Sequence, residues 1–174
     1  CWWFSCGGPV CFLPLVPPAI FLHFCKAICC LLQHHLRSYG LEEDRIAIGF
    51  GSDDLLARIA RAYLQPGTAL LRSQNSYLKV PNYAYGNDAD AVAAPDRDFC
   101  ADVDAMLSCL TAETRIVYLA NPDNPSGAML PGTELRRLHA GLPRNVLLVI
   151  DGAYSEYVTD PAYEDGEALV RAHD

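Results

Sequence analysis

The chain has 174 residues, a formal net charge of −8 and 51% hydrophobic residues, so it is long enough to form one domain around a hydrophobic core. Residues 1–41 contain Lys26 and Arg37 but no acidic residue, which leaves 11 basic and 21 acidic residues in the rest of the chain. An acidic body has no basic stripe to neutralise phosphates, so its charge argues against nucleic acid as a partner and favours a small ligand.

The first 32 residues form an apolar head whose composition differs from that of the rest. Six of the eight cysteines lie in it, and their irregular spacing predicts no metal site: Cys1, Cys6, Cys11, Cys25, Cys29 and Cys30. Prolines inside the apolar run argue against a spanning helix, and a signal peptide would need a basic n-region. The head shows no helical or strand periodicity. We expect a non-native end, with a membrane or export role as the alternative.

The body of the chain is expected to be reduced and cytosolic. Only Cys100 and Cys109 remain after the head, and a disulfide framework would distribute its cysteines over the fold.

From residue 39 onward, short apolar runs alternate with amphipathic stretches. The pattern predicts five strands, at 45–50, 68–73, 90–95, 114–120 and 145–151. Between them it predicts a helix at 52–64 with Ser52 as its N-cap, a helix or turn at 75–86 broken at Pro81, a helix at 102–110 capped by Asp102 and a helix at 132–142. Strands with runs that are apolar on both faces, alternating with helices, predict an α/β fold, a mostly parallel sheet covered by helices.

Three loops of unusual composition follow predicted strands. They read "GFGSDD" at 49–54, "NPDNPSG" at 121–127 and "DGAY" at 151–154. In a parallel sheet such loops lie at the same edge, where α/β proteins bind their ligands. Each loop also has a plainer interpretation: a tight strand-to-helix turn, a bare turn, and an aspartate that caps the next turn. We hypothesise that all three loops contact one ligand, because three such loops at one edge of a sheet indicate a binding site more specifically than any one of them.

Taken together, the three motifs resemble the fold-type I pyridoxal-phosphate aminotransferases, and within them the histidinol-phosphate aminotransferase group. "GFGSDDLL" is similar to that family's "GNGSDELL", "NPDNPSG" to its "NPNNPTG", and "DGAYSEY" to its "DEAYxEF". The order and the spacing of the motifs also match. The resemblance covers about residues 33–174, which implies the N-terminal part of the cofactor-binding large domain, and it does not cover residues 1–32.

The resemblance implies a pyridoxal 5′-phosphate site and a role for each of six residues. Ser52 and Asp53 would hold the phosphate, Tyr77 would stack on the pyridine ring, Asn124 and Tyr154 would bond its phenolic oxygen, and Asp151 would pair with its ring nitrogen. The implied reaction transfers an amino group between histidinol phosphate, or a similar amino donor, and 2-oxoglutarate. The resemblance also implies a homodimer, without nucleic acid or membrane as a partner.

The family's Schiff-base lysine, in an "SK" motif, would lie downstream of Asp174, so the sequence predicts no catalytic lysine within this chain. The two lysines present are Lys26, in the head, and Lys79, which we expect on a helix, pointing away from Tyr77 with an ordinary pKa. The chain alone is therefore expected to be inactive. Three alternatives stay open: a non-catalytic cofactor-binding module, a related decarboxylase or aromatic aminotransferase, and a membrane-tethered protein.

Overall fold

The computed structural model describes residues 19–22, 47 and 49–172, and for residues 19–22 the backbone alone. The strands are β1 Ala19–Leu22, β2 Ala69–Ser73, β3 Asp90–Ala94, β4 Asp96–Arg97, β5 Cys100–Ala101, β6 Thr114–Ala120 and β7 Leu147–Asp151. The helices are α1 Ser52–Tyr63, α2 Val80–Tyr85, α3 Val103–Ser108, α4 Gly132–Gly141 and α5 Gly166–Ala172, with a 3-10 turn at Ser155–Tyr157.

Five strands form one sheet in the order β1-β7-β6-β2-β3, and every neighbouring pair is parallel. Strand β7 is buried along its whole length, and β6 is buried at all but one position. Such continuous burial is typical of parallel strands with helices on both faces. The predicted α/β fold with a mostly parallel sheet is therefore confirmed.

The side chains of β6 alternate between two cores on opposite faces of the sheet. Val117 and Leu119 belong to the core that packs against α3, α4 and α5. Ile116, Tyr118 and Ala120 belong to the core that packs against α1 and α2. This alternation follows from the two-residue period of a strand, and it places Tyr118 on the face that α1 covers.

Several predicted elements are confirmed with small shifts at their ends, and Asp102 caps α3 as expected. Its carboxylate accepts the backbone N–H groups of Asp104 and Ala105. Cys100 and Cys109 are both free thiols. None of the helices in the described part of the chain is both long and apolar enough to cross a membrane.

Other predictions need correction. The N-cap of α1 is Gly51, and Ser52 is the first helical residue. Pro81 does not break a helix but lies in the first turn of α2, where the missing N–H of proline has no intrahelical partner to lose. The predicted strand at 45–50 falls largely outside the described residues, and its described members, Ala47, Gly49 and Phe50, are not in a strand.

The apolar head contributes one strand that the sequence pattern did not predict. Strand β1 pairs in parallel with β7 over four residues, from Ala19 opposite Leu148 to Leu22 opposite Asp151. The lack of strand periodicity in the head therefore did not indicate this strand, and the pairing with β7 argues against a head that is non-native at these residues. The short β4–β5 hairpin and helix α5 were also not predicted.

Candidate active site

The loops that follow β2, β6 and β7 share one edge of the sheet, which we call the carboxyl edge. Parallel strands end there, at Ser73, Ala120 and Asp151. The backbone N–H of Asn121 donates to the carbonyl of Asp151, so the loops after β6 and β7 leave the sheet side by side. The N-terminus of α1 joins this edge through the contacts of Asp53 with the loop after β2.

The start of α1 requires both glycines of the "GFGSDD" motif. Gly51 has φ 90° and ψ 173°, a conformation that essentially only glycine adopts. A Cβ on Gly49 would lie 2.8 Å from Oδ2 of Asp54, whose carboxylate accepts the N–H of Phe50. As Gly51 has no side chain to cap the helix, the first-turn N–H groups and the positive end of the helix dipole are left for an anion.

Asp53 is the centre of a polar cluster that joins α1 to the loop after β2 and to α2. Its Oδ1 accepts the hydroxyls of Tyr83 at 2.7 Å and Tyr77 at 3.1 Å. Its Oδ2 lies 2.6 Å from Nζ of Lys79. The carboxylate accepts three donors and has no proton to offer an anion, so the backbone N–H is the group of Asp53 that suits a phosphate.

The electrostatics of this cluster agree with an ionised carboxylate and a protonated amine. The hydrogen bond and the charge of Lys79 lower the pKa of Asp53, and the same contact raises the pKa of Lys79. Burial, together with the hydrogen bond to Asp53, raises the pKa of Tyr77. A lysine with a raised pKa is a poor nucleophile, which argues against a covalent role for Lys79.

The position of Lys79 corrects an expectation from the sequence. Lys79 lies in the turn before α2, not within a helix, and it therefore reaches the same carboxylate as Tyr77 instead of pointing away from it.

Asp96, the first residue of β4, anchors the loop that carries Tyr77. One carboxylate oxygen accepts the hydroxyl of Ser73 and the N–H of Gln74, the latter at 3.1 Å. The other oxygen accepts the N–H of Asn75 at 2.9 Å. Three donors in consecutive residues on one carboxylate fix the course of the chain just before the tyrosine.

The two asparagines of the "NPDNPSG" loop have different environments. Asn121 is buried, and its side-chain amide exchanges two hydrogen bonds with the backbone of Leu130, which closes the loop. Asn124 is partly exposed, and its Nδ2 lies 3.5 Å from the hydroxyl of Tyr154, at the limit of a hydrogen bond. The buried amide holds the loop in place, while the outer amide is presented together with Tyr154.

Asp151 ends β7 with its side chain buried, at 7% exposure. Its Oδ2 accepts the hydroxyl of Tyr118 at 2.9 Å, and its Oδ1 accepts the N–H of Ala153 at 3.1 Å. Burial raises the pKa of Asp151, the charge of Asp53 acts in the same direction, and the two hydrogen bonds oppose the rise. This is a carboxylate that would gain from a cationic partner.

The structure brings the predicted site residues into three groups along the carboxyl edge. Asp53 contacts Tyr77, Asn124 approaches Tyr154, and Asp151 lies buried between strands. Ser52 begins α1 beside Asp53. Four further residues, which the sequence motifs did not indicate, hold the predicted residues in place: Tyr83, Tyr118, Asn121 and Asp96.

Comparison with known proteins shows which family this chain is similar to. The family described as aminotransferase class I and II matches residues 15–174. The chain is 47% identical over 138 residues to the histidinol-phosphate aminotransferase of Rhodopseudomonas palustris (strain HaA2), an alignment that covers 79% of this chain and 38% of that protein. It is 50% identical over 136 residues to the histidinol-phosphate aminotransferase of Rhodospirillum centenum (strain ATCC 51521 / SW), with coverage of 78% and 38%.

A solved structure with the same fold is the crystal structure of histidinol-phosphate aminotransferase from Sinorhizobium meliloti in complex with pyridoxal-5′-phosphate. The TM-score is 0.72 at 33% sequence identity, and the match covers 78% of this chain and 37% of that chain. The chain described here thus spans less than two fifths of the length of each of these three relatives.

Proposed function

The chain belongs to the aminotransferase class I and II family, and from this premise we propose that it contributes the carboxyl edge of a pyridoxal 5′-phosphate site. The reaction proposed for the complete protein is transfer of an amino group from histidinol phosphate to 2-oxoglutarate. The observation that carries the proposal is Asp151, a buried carboxylate at the end of a fully buried strand. Within the described part of the chain, its hydrogen-bond donors are a phenol and a backbone N–H, and no cation pairs with it.

The residues present fit this cofactor. The uncapped start of α1 suits a phosphate, which would be bound through the backbone N–H groups of Ser52 and Asp53. The ring of Tyr77 lies beside that helix start and offers a stacking surface, with its hydroxyl held by Asp53. Asn124 and Tyr154 offer an amide and a phenol close together, as a phenolic oxygen of the ligand requires.

Each residue then has a distinct task in the proposed reaction. When bound, pyridoxal phosphate supplies an electron-accepting ring for the electrons released as the substrate Cα loses its proton. Asp151 would keep the ring nitrogen protonated, because an ionised carboxylate in a buried position favours a cation beside it. Tyr77 and the N-terminus of α1 would hold the ring and its phosphate in place, while Asn124 and Tyr154 would orient the opposite side of the ring.

The identity of the curated relatives supports histidinol phosphate as the amino donor, since both relatives described above carry that activity in their names. A homodimer, a cytosolic location and a domain boundary at residues 32/33 are also proposals. The two free cysteines support a reducing compartment. Strand β1 and a family match that begins at residue 15 favour a domain that starts before the proposed boundary.

Calorimetric titration with pyridoxamine 5′-phosphate tests the cofactor site in this chain. This amine form of the cofactor cannot form a Schiff base with a lysine, so binding reports noncovalent contacts alone. We expect saturable binding at one site, weakened several-fold in Tyr77→Ala through loss of ring stacking. Tyr85→Ala is the matched control, because Tyr85 is 60% exposed at the end of α2 and has no proposed contact with the cofactor. Absence of saturable binding, or equal weakening by both substitutions, would contradict the proposed site.

The amino donor is tested in a protein extended to the length of the relatives. We expect glutamate to form from 2-oxoglutarate with histidinol phosphate as the donor, and at a much lower rate with phenylalanine or tyrosine. A preference for an aromatic amino acid, or carbon dioxide release without glutamate, would favour the aromatic aminotransferase or the decarboxylase instead.

A further inference from the structure

Tyr118 is a buried tyrosine for which the proposed function has no task. It lies in the middle of β6 and is 1% exposed, among aliphatic side chains of the core beneath α1 and α2. Its hydroxyl donates to Oδ2 of Asp151 at 2.9 Å, and both partners are buried. A tyrosine hydroxyl placed in an apolar core needs a partner, and here that partner is the carboxylate of the proposed site.

The register of the sheet creates this contact. Tyr118 lies opposite Val149, and Ala120 lies opposite Asp151, so the two polar side chains point to the same face two residues apart along neighbouring strands. The length of the tyrosine ring spans this diagonal, which brings its hydroxyl to the carboxyl edge from inside the core. Leucine or valine at position 118 would fill the same face of the sheet without reaching Asp151.

We propose that Tyr118 is a positioning residue that holds Asp151 ionised and oriented, and thereby keeps the proton of the ion pair on the ring nitrogen of the cofactor. The second part of this inference rests on the proposed function; the first part does not. Tyr118 keeps its own proton, because burial and the adjacent charge of Asp151 raise the pKa of its hydroxyl well above the ordinary value. It therefore acts as a hydrogen-bond donor over the whole accessible pH range.

The charge balance at Asp151 explains why a donor matters. Burial raises the pKa of Asp151, and the carboxylate of Asp53 on α1 adds to the rise. The hydroxyl of Tyr118 on β6 and the N–H of Ala153 after β7 stabilise the charged form. Without the hydroxyl, Asp151 would be more basic than it is with the hydroxyl, and the equilibrium of the shared proton would shift from the ring nitrogen toward the carboxylate.

The first experiment measures the ionisation of Asp151 without cofactor. The chain is labelled with ¹³C at the aspartate carboxyl carbons, and the Asp151 signal is identified by its loss in Asp151→Asn. In Tyr118→Phe we expect the pKa of Asp151 to rise by about one unit or more, as expected for loss of one hydrogen bond to a charged group. Tyr163→Phe is the matched control, since the hydroxyl of Tyr163 donates to the backbone carbonyl of Asn121 and not to Asp151.

The second experiment places the proton. Pyridoxamine 5′-phosphate labelled with ¹⁵N at the ring nitrogen is bound to each variant, and its chemical shift distinguishes a protonated from an unprotonated ring. We expect a protonated ring with the wild-type chain and a shift toward the unprotonated form with Tyr118→Phe. An opposite perturbation is available as well: 3-fluorotyrosine incorporated at position 118 is a stronger donor and should lower the pKa of Asp151, a test that does not depend on whether Tyr118→Phe folds.

The outcomes separate this inference from the proposed function. An unchanged pKa of Asp151 in both altered chains would overturn the role of Tyr118. A raised pKa with an unchanged ring-nitrogen signal would overturn its action on the cofactor. Failure of the wild-type chain to bind pyridoxamine phosphate would count against the proposed function, and the carboxyl titration would still decide whether Tyr118 sets the ionisation of Asp151.

Discussion

Replacing Asp96 by alanine should destabilise the chain and loosen the loop that carries Tyr77. The substitution leaves the hydroxyl of Ser73, which is 4% exposed, buried without its partner, a loss of about 1–3 kcal/mol. It also removes the acceptor of the N–H of Asn75, which is exposed and regains water at a cost of about 0.5–1.5 kcal/mol, while the N–H of Gln74 keeps its bond to the carbonyl of Ala94. Allowing for non-additivity, we expect a loss of about 2–4 kcal/mol in the free energy of unfolding.

A second substitution at Asp96 and a control substitution at Asp90 test the same contacts. Asp96→Asn keeps the oxygen that bonds Ser73 and Gln74 but places an amide N–H₂ against the N–H of Asn75, so it should cost about 1–2 kcal/mol. Asp90→Ala is the matched control, because Asp90 is an exposed aspartate at the start of the neighbouring strand β3 and its side chain forms no hydrogen bond within the described residues.

Urea unfolding, followed by circular dichroism at 222 nm, measures these differences. At a slope of about 1–3 kcal/mol per molar urea, Asp96→Ala should shift the midpoint by roughly 1–2 M. Pyridoxamine phosphate affinity should fall in the same order, Ala before Asn, if the loop positions Tyr77. A midpoint for Asp96→Ala equal to that of Asp90→Ala would refute the anchoring role, and equal effects of alanine and asparagine would refute the assignment of separate donors to the two carboxylate oxygens.

The remaining predictions concern Asp151, Asp53 and β1. Burial raises the folded-state pKa of Asp151 above its ordinary 3.8, so its carboxyl contributes stability below pH 3.8 that is lost as the pH rises through the folded pKa. Urea unfolding at a series of pH values should show the wild-type chain losing stability relative to Asp151→Asn between pH 3.8 and the folded pKa. A gain of stability in that pH range would contradict a raised pKa. For Asp53 the folded pKa is lowered, so its contribution to stability is present above pH 3.8 and is lost as the pH falls through the folded pKa. In the same measurement, Asp53→Asn should abolish this loss of stability at low pH. An unchanged loss of stability at low pH would contradict the contacts of Asp53 in the polar cluster. In a protein extended to the length of the relatives, Asp151→Asn should retain cofactor absorbance but lower turnover by orders of magnitude, and near-normal turnover would remove Asp151 from its role. Removal of residues 1–38 takes β1 from the edge of β7 and should raise self-association in size-exclusion chromatography at increasing concentration, while an unchanged elution volume would mean that β1 does not protect this edge.

The sequence predicted those helices and strands whose hydrophobic pattern is continuous along their length. Strands β6 and β7 each contain an apolar run that covers both faces, and a run of that kind bounded by turn residues favours a strand buried on both faces. Pro81 was misinterpreted because a proline breaks a helix interior yet is tolerated in the first turn, and the sequence alone does not say where the helix starts. Strand β1 was missed because it is four residues long inside a run that is apolar everywhere, which leaves no periodicity to detect.

The candidate site was predicted less completely because its supporting contacts depend on register. Asp53 and Tyr77 were both named from the motifs, but their 3.1 Å contact depends on how α1 docks beside the end of β2. Lys79 was placed wrongly for the same reason, since its direction changes with the first residue of α2. Motifs identify which residue types are present, whereas the contacts among them arise from the packing of elements distant in sequence.

One signal in the sequence could have identified Tyr118. A tyrosine in the middle of a largely apolar, buried strand carries a hydroxyl that needs a hydrogen-bond partner. An aspartate at the end of a neighbouring buried strand carries a carboxylate that needs a donor. In a parallel pair, residues two positions apart on adjacent strands share a face, so these two requirements can satisfy each other without any further group. Tyr118 and Asp151 meet in this way at 2.9 Å, and the bond orients the carboxylate at the carboxyl edge before any ligand arrives. This buried polar pair connects the core with the ligand-binding edge, so it couples the stability of the sheet to the ionisation of Asp151. For that reason Tyr118→Phe is expected to change the titration of Asp151, while the phenylalanine ring continues to fill the core.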